Sequence, residues 1–132
     1  MAIVLVLADI LTFNLREWLG CEVVTEEDVT GSRNFKDISE SDKVKIASAV
    51  RKTKFDLIIV RVAKDGGGAG MEKVKTIKQV ENDLCQQIII VSVSISKIRT
   101  EDYRALGIAH FTTTYKIVDY VRQELSSREV LE

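Results

Sequence analysis

The sequence predicts an α/β fold: five parallel strands in one sheet, with helices layered on both faces. Three observations lead there. Aliphatic runs without polar interruption recur along the chain, as in Ile3-Val-Leu-Val-Leu7, Leu57-Ile-Ile-Val60 and Ile88-Ile-Ile-Val91. Segments with apolar residues at helical spacing separate them. The two kinds of segment alternate, and that order is satisfied by right-handed crossovers over a parallel sheet. With 132 residues, the chain has the length of one domain.

The first strand is expected over 2–7, where the unbroken apolar run suits a strand buried on both faces. A short helix over 12–19 carries Phe13, Leu15, Trp18 and Leu19, and Gly20 stops it. Residues 21–25 read as a short second strand. Residues 26–41 are polar, with Gly31, Ser32 and Asn34, and read as a long loop. Ser39 or Ser41 can cap a helix over 42–54, whose apolar positions are Val44, Ile46, Ala47 and Val50. The third strand is expected over 55–62, followed by a Gly-rich loop from Asp65 to Gly70. Met71, Val74, Ile77 and Val80 predict a helix over 71–82. A fourth strand spans 87–94. A short helix over 100–106 is capped by Thr100 and stopped by Gly107. The last strand covers 109–113, and the last helix 115–125, with Ile117, Val118, Val121 and Leu125 on one side. The polar tail 126–132 frays.

Composition narrows the function. Nineteen Lys and Arg against 20 Asp and Glu give a net charge of −1. That balance provides no global field for nucleic acid or an anionic membrane. No apolar stretch reaches the length of a membrane span, and the apolar N-terminus has neither the basic flank nor the cleavage site of a signal peptide. Cys21 and Cys85 lack metal-ligand spacing and read as small buried or half-buried hydrophobes, and His110, the one histidine, reads as structural. A cytoplasmic protein with no metal and no cofactor is expected.

Certain residues then acquire meaning as a set. Asp56-Leu-Ile-Ile-Val60 is followed by Arg61, and Gly70-Met-Glu72 opens the next helix. Ile88-Ile-Ile-Val91 ends in Ser92, and the stretch from Ser92 to Gly107 leads into a strand carrying Phe111, with Thr114 beyond it. In this the chain resembles the receiver domains of response regulators, a flavodoxin-like family with a (βα)5 three-layer sandwich. The resemblance implies a phosphoryl-accepting Asp at position 61, an acidic metal-holding pair near 7–9, a Lys at 114 and a Pro at 115. The chain has Arg61, a single acid in Asp9, Thr114 and Tyr115. An Arg cannot attack phosphorus, and one carboxylate makes a poor Mg²⁺ site. The departures therefore imply a receiver-like domain that does not transfer phosphate and has no catalytic residue.

The degenerate pocket comprises Asp9, Arg61, Asp65, Ser92 and Thr114. There Arg61 is expected to pair with Asp9 or Asp65, since a cation at a buried sheet edge needs a partner. The resemblance also implies a protein-contact face on the last two helices and last strand, carrying Tyr103, Phe111, Tyr115 and Tyr120, through which a protein partner or a second copy would bind. Two other readings stay open. The glycines at 66–70 and Arg61 could hold the anion of a small ligand or nucleotide, although that loop lacks the Lys-Ser/Thr of a P-loop and a flexible loop is the simpler account. Alternatively, Asp65 could accept a phosphoryl group in place of residue 61. Lys73, Lys75 and Lys78 form a basic cluster on one helix, expected to be a solvated face.

Overall fold

The computed structural model describes residues 2–7, 14–31, 39–61, 69–85, 88–93, 105–111 and 114–127. Within them lie β1 (Ile3–Leu7), a π-helical turn (Asn14–Trp18), β2 (Glu22–Thr25), α1 (Glu26–Thr30), α2 (Glu40–Lys52), β3 (Leu57–Arg61), α3 (Ala69–Leu84), β4 (Ile90–Val93), β5 (Ala109–Phe111) and α4 (Thr114–Ser127). The strands form one sheet in the order β2-β1-β3-β4-β5, and every neighbouring pair is parallel. The α/β architecture with a parallel sheet is therefore as expected, and the order is consistent with a flavodoxin-like arrangement.

Strand alternation sorts the core into two clusters. Val4, Val6, Leu57, Ile59 and Val91 pack with Leu15 and with Ile117, Val118, Val121 and Leu125 of α4. Leu5, Leu7, Ile58, Val60 and Ile90 pack on the opposite face, with Ile46 and Val50 of α2 and Val74, Ile77 and Val80 of α3. Both faces of β1 and β3 are thus covered, which is why their sequences are apolar throughout. Each such side chain contributes roughly 1.5–3 kcal/mol by leaving water.

At the amino end, the switch between β1 and β3 is fastened twice. The Ile3 N–H donates to Asp56 Oδ2 (2.8 Å), and the Asp56 N–H donates to the Ile3 carbonyl (2.9 Å). At the edge of the sheet, Arg16 Nη2 donates to the Val23 carbonyl of β2 (3.1 Å). That bond occupies a carbonyl of the edge strand, and covering an edge in this way blunts its pairing with another chain.

Several boundaries and one element need correction. Residues 26–41 are not all loop: Glu26–Thr30 is a helical turn. Thr25 caps it through a reciprocal capping box with Asp28, and Gly31 ends it at φ 79°, a left-handed conformation suited to glycine. The helix expected over 42–54 spans Glu40–Lys52 and is capped by Ser39. The segment expected as an α-helix over 12–19 is largely π-helical, Asn14–Trp18. Val44 and Trp18, read as inward apolar positions, are 67% and 50% exposed. The other helices and strands differ from expectation by a few residues at their ends, as in Leu57–Arg61 for 55–62 and Ile90–Val93 for 87–94. Most of the helix expected over 100–106 lies outside the described residues, as does the Gly-rich loop from Asp65 to Gly68.

Candidate functional site

In an open parallel sheet the ligand crevice lies at the carboxyl ends of the strands, where the strand order reverses. Here that point falls between β1 and β3. Leu7, the last residue of β1, pairs with Val60, so Arg61 stands one residue beyond that row, at the end of β3. Arg61 is half-buried. The register carries Arg61 across to Val93 of β4 and on to Phe111 of β5. Neighbours in a row share a face, and strands lie about 4.8 Å apart, so Arg61 and Phe111 occupy one face of the sheet about 10 Å apart. Alternation from Leu57 and Ile59 makes it the face covered by α4.

The main chain places Ser92 one residue before the end of β4, paired with Val60 and His110. Thr114 opens α4, directly after the β5 connection. The sheet therefore brings the backbone positions of Arg61, Ser92 and Thr114 to one carboxyl edge. The side chains of Ser92, His110, Thr114 and Tyr115 lie outside the described set, as do Asp9, Asp65 and Tyr103 altogether. Within the expected contact face, Phe111 and Tyr120 meet as a tilted ring pair, with centroids 5.2 Å apart and planes at 51°. Such pairs add about 0.5–1.5 kcal/mol beyond area burial. They tie β5 to α4 while both residues stay half-buried.

The strongest electrostatic feature near this edge was not expected. Lys73 is not on a solvated face: it is 1% exposed, and its Nζ forms an ion pair with Glu26 Oε1, whose side chain is 4% exposed. Glu26 begins α1, just after β2, and Lys73 lies near the start of α3, which follows β3. β1 lies between β2 and β3, so the pair joins the two connections that flank it. Lys75 is exposed as expected and lies 3.9 Å from Glu72, whereas Lys78 is half-buried and pairs with Glu81 (3.2 Å).

The two cysteines also separate. Cys21 is buried, and burial pushes its thiol up from the ordinary range, helped by the nearby Asp56 carboxylate. Cys85 is exposed, contrary to expectation, and holds φ 51° at the end of α3. Among the described residues, no three His, Cys, Asp or Glu side chains converge as metal ligands would. Among the described residues, no helix is long and apolar enough to cross a membrane. No protein-family model matches the chain, and searches of curated proteins and of solved structures find no match either.

Proposed function

We propose that this domain is a pseudo-receiver, a cytoplasmic signalling module of flavodoxin-like (βα)5 build that works by protein–protein contact and has no enzymatic activity. The observation that carries the reading is Arg61, half-buried at the carboxyl end of β3 beside the reversal of strand order. A receiver needs a carboxylate nucleophile there, and a guanidinium stays protonated and has no lone pair with which to attack a phosphoryl donor. The contact face would be formed by β5 and α4, with the Phe111–Tyr120 ring pair fixing their relative position. Aromatic residues of this kind suit a protein interface, and a second copy of the chain is one candidate occupant.

Titration of the ¹⁵N-labelled protein with beryllofluoride and Mg²⁺ tests the reading. No shift is expected at Arg61, Ser92 or Thr114, and a saturable shift centred on them overturns it. A thermal-shift series with ATP, flavin mononucleotide and sugar phosphates tests the competing ligand-binding role. Stabilisation by any of these would transfer the assignment to an anion-binding domain that uses Arg61 and the 65–70 loop.

A further inference from the structure

At the opposite end of the sheet from Arg61, the C-terminal halves of α3 and α4 border a cleft of about 520 Å³. Its volume is that of small-molecule sites, roughly 300–1,000 Å³. The half-buried Ile88 and Ile89, just before β4, provide an apolar wall, and Tyr120 an aromatic one.

The charges in this cleft are unequal. Lys78 is already tied to Glu81 Oε1 (3.2 Å), while Glu81 Oε2 accepts the Ile88 N–H (2.7 Å). That pair is internally neutral and both its oxygens are engaged. Glu124 is different. It is half-buried, and among the described residues its carboxylate has no ion pair or hydrogen bond, since only its main-chain oxygen accepts, from Ser127 Oγ. It also lies in the last turn of α4, which ends at Ser127. The last turn of a helix is its negative end, where a carboxylate is disfavoured and a cation is favoured. Tyr120 and Glu124 are four residues apart, so they share one face of α4. α3 also ends beside this cleft, which Cys85 lines.

We infer that the cleft is a binding site for a small organic cation, an ammonium head group on an apolar body. The head group would pair with Glu124 and lie against the Tyr120 ring, and the body would cover Ile89, which packs on the same face of the sheet as Tyr120. The inference does not require the pseudo-receiver reading: Tyr120 belongs to both surfaces, but the charge it rests on, Glu124, borders the cleft at the other end of the sheet.

Phenethylammonium and phenylacetate share a body and differ in the sign of the head group. Followed by amide shifts in ¹⁵N-labelled protein, phenethylammonium is expected to give saturable shifts at Ile88, Ile89, Tyr120 and Glu124, and phenylacetate none. Glu124→Gln should weaken phenethylammonium by about tenfold, the scale of one charge-assisted contact. The same variant should melt no lower than the parent without ligand, because it removes a charge from the wrong helix end. Tyr120→Leu should weaken binding about two- to fivefold. Absence of saturable shifts, equal response to phenylacetate, or unchanged affinity in a folded Glu124→Gln protein would each overturn the inference.

Discussion

Lys73 of α3 and Glu26 of α1 form an ion pair closed off from solvent. Removing both charges from water costs several kcal/mol per ion, which mutual attraction roughly offsets, so the pair adds little net stability but is costly to break. Lys73→Met should therefore destabilise the fold by about 3–5 kcal/mol, because it takes the cation away from a carboxylate that stays buried. The double variant Glu26→Leu with Lys73→Met should recover most of that loss. Urea unfolding of the parent, the two single variants and the double variant measures both effects. Single variants within about 0.5 kcal/mol of the parent would contradict the burial of the pair.

The capping box at the start of α1 gives a second prediction. The Thr25 N–H donates to Asp28 Oδ2 (2.9 Å), and the Asp28 N–H donates to Thr25 Oγ1 (3.2 Å). The bond from the Thr25 main chain, followed by that to its side chain, holds the Asp28 carboxyl below its ordinary range. A depressed folded value means that the contribution is fully present above the unfolded value, about 3.9, and is lost as pH falls through the folded value. NMR titration should show Asp28 titrating below a free aspartate, and Thr25→Ala should return it toward normal while costing about 1 kcal/mol.

Thiol chemistry separates the two cysteines. Cys21 is buried and its thiol is pushed up by burial and by Asp56, both of which deplete the reactive thiolate. Cys85 is exposed. A disulfide reagent added to the native protein should modify one thiol quickly, assigned to Cys85 by peptide mapping. The second should react only at the rate of unfolding.

Cys85 also offers a backbone test. Its φ of 51° at the end of α3 is a position glycine usually takes. A residue with a Cβ carries a penalty of roughly 1–2 kcal/mol there. Cys85→Gly should be neutral or stabilising by up to about 1 kcal/mol, and Cys85→Val destabilising by about 1 kcal/mol or more. Denaturant midpoints of the two variants decide the sign.

The interior strands were legible because a strand covered on both faces leaves an unbroken aliphatic run, and β1 and β3 have one. The apolar side of α4 was legible for a similar reason: Ile117, Val118, Val121 and Leu125 are all buried. Lys73 was misread because a lysine among lysines looks solvated. Its spacing held the opposite signal, since it lies four residues before Ile77 and seven before Val80, on the buried stripe of α3. α1 was missed because five residues with one apolar member, Val29, are too few to show a period, yet Thr25 and Asp28 stand three apart, as a capping box requires. Ion pairs between distant segments, such as Glu26 with Lys73, leave no periodic trace in one sequence. The position of Arg61 at the end of β3 was readable from the strand that precedes it. Its row-mate Phe111 depended on the register of three strands.

The central proposal is that this domain is a pseudo-receiver, in which Arg61 in place of a carboxylate prevents acceptance of a phosphoryl group. Incubating the protein with acetyl phosphate and Mg²⁺ and reading its intact mass tests that claim most directly. The account predicts an unchanged mass. A phosphoryl adduct that maps to an aspartate, Asp65 or Asp9 above all, would contradict it.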